Sequence, residues 1–144
     1  LISLFEDRME WIIERIESEL DNVEDGAIGK LRRFVELHFQ LAIENPDLAE
    51  FITVELRQSA KFIKEYDNPK FGDYLGLLKN LIDEGQAEGV LNAELDSRLV
   101  SRAIFGALDE VLLQLTLADS EPADVEQEVD QVTKMLIEGL RVGE

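Results

Sequence analysis

One long segment, residues 95–118 (LDSRLVSRAIFGALDEVLLQLTLA), predicts a helix that is apolar on nearly every side. From residue 103 onward its strongly polar residues are Asp109, Glu110 and Gln114. A helix that is apolar nearly all round has to be covered on most of its surface, and a chain of 144 residues has little second layer with which to cover it. The segment therefore predicts a helix whose outer side packs against a second copy of the chain.

Three prolines predict where other helices begin. Proline suits the first turn of a helix, and a preceding Asn or Ser can cap the free amides. Apolar residues recur at helical spacing between these points, and no segment alternates with a period of two over a useful length. The sequence predicts an all-α domain of about six helices over residues 1–144. Its helix starts are Asn45-Pro46, Asn68-Pro69, Ser120-Glu121-Pro122, Asp96 before the apolar helix, and the regions near Leu1 and Ala27.

Charge and cysteine content exclude several classes of function. The net charge of −18 argues against binding of this chain to the phosphate backbone of a nucleic acid, because such binding needs a basic face. The chain has no cysteine, which excludes disulfides, thiolate metal sites and cysteine nucleophiles. No apolar run is long enough to cross a membrane, and no signal peptide is visible. We expect a cytoplasmic protein that makes no membrane contact.

The single histidine, His38, limits the catalytic possibilities. A di-metal carboxylate bundle needs Glu-x-x-His on two helices, and no Gly-x-Ser-x-Gly turn is present to expose a serine nucleophile. We expect no catalytic residue, no metal, no cofactor and no enzymatic activity. His38 lies on the apolar stripe of the second predicted helix with Phe34, so it is either part of the core or a contact for a ligand.

An apolar pocket surrounded by the second, third, fourth and fifth helices is the predicted ligand site, because helical bundles favour mostly apolar pockets between helices. Each predicted lining residue is also compatible with plain core packing. The predicted lining residues are Phe34, His38, Phe51, Leu75, Leu78, Phe105 and Leu112.

Two groups of basic residues stand out in this acidic chain. Arg57, Lys61 and Lys64 fall at i, i+4 and i+7, on one face of a helix, and Arg98 and Arg102 are one turn apart. Phosphate recognition uses such clusters, with arginine as a bidentate donor and lysine as a point charge. Both groups are therefore candidate phosphate contacts, although ion pairs with neighbouring acidic residues would explain them equally well.

The region 82–110 carries a pattern of turns and helices. It contains IDEGQAEGVL at 82–91, LDSRL at 95–99 and IFGALDE at 104–110. This order resembles the C-terminal regulatory domain of TetR-family transcriptional repressors. In that family a G-x-x-x-G-x-(I/L) turn closes one helix, LD-x-R-L opens the next, and an apolar helix with an internal glycine follows.

Two further segments, VELRQS at 54–59 and LISLF at 1–5, are similar to the FadR-type, fatty-acid-responsive members of this family. The inducers of those members are long-chain acyl-CoA thioesters. The resemblance implies an effector-binding repressor domain that releases DNA when acyl-CoA binds. The phosphates of CoA would then meet the basic residues described above.

The resemblance also implies a homodimer in which the last two helices form a four-helix bundle with those of the partner. The family's N-terminal helix-turn-helix module is absent from this sequence, which begins without a methionine and already reads as helix. We therefore expect the chain to be a fragment that contacts DNA only through the missing module. The predicted dimer-interface residues are Leu108, Val111, Leu115, Val129, Val132 and Leu136.

Two alternatives stay open at this point. One is a regulator of the same family with another class of inducer, such as a drug-like cation that the acidic composition would favour. The other is an acidic helical dimerisation module that binds no small ligand and fills its interior with its own side chains.

Overall fold

The computed structural model describes residues 2–50, 69–117 and 122–143, and within these ranges it confirms the predicted all-α class. In the described part of the chain, the only pairing of extended backbone is an isolated antiparallel bridge between Leu91 and Arg141. None of the described helices is long and apolar enough to cross a membrane. The helices are α1 (Ile2–Asp21), α2 (Gly26–Glu44), α3 (Pro46–Glu50), α4 (Pro69–Ala87), α5 (Ser97–Leu117) and α6 (Pro122–Leu140).

The predicted helix starts are confirmed where the structure describes them. The helices α3, α4 and α6 each begin at one of the three prolines. Before α5, the Asp96 Oδ1 atom accepts a hydrogen bond from the backbone N–H of Arg98 at 2.9 Å, which satisfies one of the free amides of the first turn. Asn45 behaves differently, because its side-chain Nδ2 donates to the Leu41 carbonyl at 2.8 Å and so closes the end of α2.

Helix α2 lies at the centre of the domain and contacts each of the other five described helices. Buried side chains therefore occur around most of its circumference, including Leu37 and Phe39 as well as the stripe that contains Phe34. Amphipathic α1 packs against α2 and α4 from outside, with Met9 and Ile16 almost fully buried. The core of the domain is built around α2.

Helix α5 buries one side within the protomer, against α2, α4 and α6. Its remaining surface carries the exposed side chains of Leu99, Ala103, Glu110 and Gln114, with Gly106 half-buried between them. The domain itself thus covers much of the apolar circumference of α5, and the surface available to a predicted second copy is narrower than the sequence predicts. The buried apolar residues are Val100, Ile104, Phe105, Leu108, Leu112 and Leu115.

The turn between α4 and α5 depends on two glycines. Gly89 has a φ of +79°, a left-handed conformation that favours glycine. The carbonyl of Gly85 accepts hydrogen bonds from the backbone N–H groups of Val90 and Leu91 at 3.0 and 3.1 Å. The buried Leu91 side chain packs directly over Gly85, where a Cβ atom would approach its Cγ to 2.6 Å. This geometry explains the G-x-x-x-G spacing in the sequence.

The same turn holds the end of α6 against the rest of the domain. The backbone N–H of Asn92 donates to the Leu140 carbonyl at 2.9 Å, and that of Val142 donates to the Val90 carbonyl at 3.1 Å. The Gln86 side chain stabilises the loop by donating to the carbonyls of Asn92 and Leu95. The position of α6 is therefore coupled to the end of α4.

We predict that Gly85→Ala lowers the free energy of unfolding by about 1–3 kcal/mol, because the added methyl overpacks the buried Leu91 side chain. The matched control is Gly76→Ala in the same helix, where an added Cβ meets no atom within 4 Å. That variant should gain up to about 1 kcal/mol from helix propensity. Urea unfolding monitored by circular dichroism measures both, and equal stability of the two variants would contradict the packing of this turn.

Candidate functional site

An aromatic cluster joins the three helices that surround the domain interior. It comprises Phe34, His38 and Phe39 of α2, Tyr74 of α4 and Phe105 of α5. The His38 ring lies edge-on to Phe39 and Phe105, with centroids 5.6 and 5.9 Å away. The Tyr74 ring lies 5.4 Å from Phe34 and 6.2 Å from Phe105. These contacts set an imidazole and a phenol among aromatic rings, and the buried Asp109 lies one turn along α5 from Phe105.

The imidazole and the phenol hydrogen-bond to each other. His38 Nδ1 lies 2.5 Å from the Tyr74 hydroxyl oxygen. Burial lowers the pKa of His38 to about 4 and raises the pKa of Tyr74 above its ordinary value, because a low-dielectric environment disfavours the charged form of each group. Both side chains are therefore neutral at pH 7, and the His38–Tyr74 pair carries no net charge.

Most of the predicted apolar pocket residues lie in or beside the aromatic cluster. Phe34, His38 and Phe105 belong to it, while Leu78 and Leu112 are buried on α4 and α5. Leu75 is half-buried and packs against the core, and Phe51 lies outside the described residues. The structure thus brings residues of three helices together at the predicted place, and whether they line a ligand stays a prediction.

Tyr74 is absent from the predicted pocket residues although it makes the closest polar contact with His38. A sequence signal for it existed, because Tyr74 and Leu78 are one turn apart on the apolar stripe of α4. A lone tyrosine on such a stripe is compatible with plain core packing. Its role becomes visible only when α2 places His38 opposite it.

The predicted phosphate contacts divide into two groups. Arg57, Lys61 and Lys64 lie outside the described residues. Arg98 and Arg102 are exposed near the start of α5, and neither forms an ion pair within the part of the chain that the structure describes. Ion pairing with described acidic residues therefore does not account for this second pair, whose side chains are accessible to an anion.

The predicted dimer-interface residues differ in accessibility. Leu108 has no exposed surface, and Leu115 and Val129 are buried in the protomer. Val111, Val132 and Leu136 are half-buried. The second group is the one with solvent-accessible surface that a partner could contact. The first group would support such an interface by packing beneath it in the core.

A groove of about 340 Å³ lies between α2 and α6, and most of the residues that line it are charged. Its basic residues are Arg32, Lys134 and Arg141, and acidic side chains from the same two helices lie among them. Because its charges are mixed, this groove differs from the predicted apolar pocket. No group of three His, Asp or Glu side chains in residues 2–50, 69–117 and 122–143 is placed to hold a metal ion.

Two polar contacts in the N-terminal half of α1 join this helix to the end of α2 and to the start of α4. Arg8 of α1 donates to the Asn45 side chain at the end of α2, at 3.2 Å. Glu10 lies 3.8 Å from the ammonium group of Lys70 in the first turn of α4. A shift of α2 or α4 would therefore move α1.

Nearly the whole chain is similar to known proteins. Residues 5–139 match the family described as "YsiA-like protein, C-terminal region". The chain is 31% identical over 140 residues to the fatty acid metabolism regulator protein of Bacillus subtilis (strain 168), covering 97% of this chain and 71% of that protein.

Two solved structures have the same fold. The fatty acid degradation regulator FadR from Bacillus halodurans superposes with a TM-score of 0.84 at 35% identity, over 99% of this chain and 73% of that one. The transcriptional regulator FadR from Bacillus subtilis, solved in complex with stearoyl-CoA, has a TM-score of 0.83 at 31% identity. That match covers 96% of this chain and 74% of the regulator.

We predict that His38 makes the stability of the domain depend on pH. The ordinary pKa of histidine is about 6.5 and the folded value is about 4. The unfolded chain therefore binds the proton first. The contribution of neutral His38 is complete above pH 6.5 and is lost as the pH falls toward 4.

The measurement is urea unfolding of the wild type and of His38→Phe between pH 7 and pH 5. Carboxylate titration is common to both proteins, so their difference isolates the histidine. The wild type should lose about 1–2 kcal/mol relative to the variant over this range. Parallel profiles would contradict the burial of a neutral imidazole.

Proposed function

The chain belongs to the TetR-type family of YsiA-like C-terminal regions, and we propose that it is the effector-binding and dimerisation domain of a repressor that senses long-chain acyl-CoA. The observation that carries the proposal is the similarity, over nearly the whole chain, to a regulator solved with stearoyl-CoA. These relatives are transcriptional regulators. The proposal accordingly includes no catalytic step and places the protein in the cytoplasm with the DNA.

The interior between α2, α4 and α5 suits the acyl chain of such an effector. A hydrocarbon chain gains binding free energy from apolar surface that is removed from water. The aromatic cluster and the buried Leu78 and Leu112 supply that surface. We propose that these side chains separate to admit the acyl chain, with Phe51 and Leu75 completing the pocket.

The CoA part requires positive charge, which is scarce in this chain. Its phosphates would be repelled by a protein of net charge −18 unless cations were concentrated where they bind. Arg57, Lys61 and Lys64 are the proposed contacts, and Arg98 and Arg102 are a second accessible pair. A cationic drug-like effector would have no use for these clusters, which disfavours that alternative.

The proposed mechanism is a shift between two arrangements of the helices. An effector biases such an equilibrium only by its difference in affinity for the two arrangements. An acyl chain between α2 and α4 would favour the arrangement in which these helices lie further apart. Since α1 contacts both of them, it would carry the change to a DNA-binding module and release the operator.

The proposed dimer would use the outer faces of α5 and α6. On α5, Ala103 is exposed and Gly106 half-buried, and these small side chains would allow close approach of a partner helix. On α6, Val132 and Leu136 are half-buried and Met135 is exposed. Packing of these faces in a second copy would bury the apolar surface that the protomer leaves uncovered.

We predict that native mass spectrometry of the protein gives a dimer that binds about one long-chain acyl-CoA per subunit. Free CoA should not bind measurably, because it lacks the apolar part that supplies most of the binding free energy. Affinity should rise with acyl-chain length across a series of thioesters. A dimer that binds none of the series would exclude the acyl-CoA assignment, and a monomer would exclude the dimer.

We predict that Arg57→Glu weakens acyl-CoA binding at least tenfold, because it replaces a phosphate partner by a repelling charge. The matched control is Arg32→Glu, which makes the same charge change at an exposed position of α2. Isothermal titration calorimetry with stearoyl-CoA measures both. Equal affinities in the two variants would remove Arg57 from the phosphate site.

A further inference from the structure

The second nitrogen of the His38 ring is a buried polar atom without a hydrogen-bond partner among the described residues. Nδ1 is occupied by the Tyr74 hydroxyl group. Nε2 is buried, and no group in the described part of the chain hydrogen-bonds to it. Buried polar atoms in folded proteins nearly always have a partner, and leaving one without a partner costs about 1–3 kcal/mol. Such an atom is suited to recognition of a ligand.

Tyr74 determines which hydrogen-bonding role Nε2 plays. The phenol is neutral and its O–H needs an acceptor. Among the described residues, Nδ1 of His38 is the acceptor that it meets. When the phenol O–H donates to Nδ1, this ring nitrogen carries no proton, and the single proton of the neutral imidazole resides on Nε2. The site therefore presents an uncharged N–H donor.

We propose that this Nε2–H donates a hydrogen bond to the thioester carbonyl of bound acyl-CoA, and that Tyr74 is the positioning residue that holds the tautomer. The inference rests on the function proposed above, and it identifies His38 Nε2 as the atom that recognises the thioester. Two properties of the site select this acceptor. The donor is uncharged, which favours a neutral carbonyl over a phosphate, and the surrounding rings of Phe39 and Phe105 suit the apolar end of the ligand.

The thioester carbonyl is the acceptor that adjoins the hydrocarbon chain, whereas the amide carbonyls of pantetheine lie further toward the phosphates. Among the carbonyls of the ligand, the thioester carbonyl therefore comes closest to an interior that holds the acyl chain. The contact would let the domain distinguish an activated fatty acid from other molecules with a similar chain. Apolar packing alone does not provide that distinction, because a hydrocarbon chain is the same in each of them.

The test compares stearoyl-CoA with its thioether analogue, in which a methylene group replaces the thioester carbonyl. The wild type should bind the thioester roughly tenfold more tightly, because the analogue leaves the buried donor without a partner. His38→Phe keeps an aromatic ring but has no donor, so it should bind the two ligands with equal affinity. Isothermal titration calorimetry measures the ratio of the two dissociation constants for each protein.

Tyr74→Phe tests the positioning role by a second route. It keeps the ring but removes the hydroxyl group, so the imidazole should become a mixture of tautomers and the preference for the thioester should fall. Because His38 is the only histidine, the imidazole ¹⁵N signals report its tautomer without ambiguity. Phe39→Leu is the control, since it changes the packing beside His38 without touching a polar atom, and it should keep both the tautomer and the ratio.

Two outcomes would overturn the inference, and a third would refute the proposed function on which it rests. Equal affinity of the wild type for both ligands would exclude the thioester contact. If His38→Phe lowers the affinity for both ligands by the same factor, the wild-type preference for the thioester remains. The acceptor of the His38 hydrogen bond would then be a carbonyl that both ligands share, such as a pantetheine amide. Failure of the wild type to bind either ligand would instead refute the proposed function, which distinguishes the two levels of the proposal.

Discussion

Helix α2 packs against every other described helix, and this central position decides which of its residues meet solvent and which can meet a ligand. A helix surrounded in this way has to be apolar around most of its circumference, and the burial of Phe34, Leu37 and Phe39 meets that requirement. Any polar group that α2 carries inward is consequently removed from water. His38 is such a group: the residue is half-buried, but its Nε2 atom is buried, and this packing keeps the imidazole neutral.

The same packing connects the proposed ligand site to α1, the helix that would carry a conformational change to a DNA-binding module. The aromatic cluster lies where α2, α4 and α5 meet, so a molecule inserted there would act on the contacts that hold the domain together. Helix α1 contacts α2 and α4 on their other side, and the bonds of Arg8 and Glu10 join it to both. In the proposed mechanism the ligand changes the distance between α2 and α4, and α1 moves because it contacts both helices. A small apolar ligand could control a distant module in this way.

Much of the fold follows from local signals. The prolines begin helices because their missing N–H costs nothing in the first turn, and Gly85 and Gly89 close α4 because the turn needs a left-handed residue and a close approach of Leu91. The extent to which each helix is covered is less easily predicted. Residues 95–118 look more uniformly apolar than α2, yet both helices keep an exposed face, with Leu99 and Ala103 on α5 and Arg32 and Glu36 on α2. Coverage depends on how helices distant in sequence assemble.

The candidate site could be predicted only in part for the same reason. Phe34, His38 and Phe105 are identified by their places on apolar stripes, and the structure brings their rings together. The partnership of His38 with Tyr74 joins residues 36 positions apart, and a stripe pattern carries no information about which residue faces which across two helices. The tautomer of the imidazole depends on that pairing, so it too lies beyond the reach of sequence patterns.

The central claim is that the effector lies in the interior between α2, α4 and α5, with its thioester beside His38. The most direct measurement is the detection of intermolecular NOEs between the ring protons of this single histidine and bound stearoyl-CoA, in deuterated protein with protonated histidine. If the thioester lies beside His38, NOEs to the methylene groups next to the thioester are expected. NOEs to the far end of the acyl chain alone, or saturated binding without any NOE to His38, would contradict it.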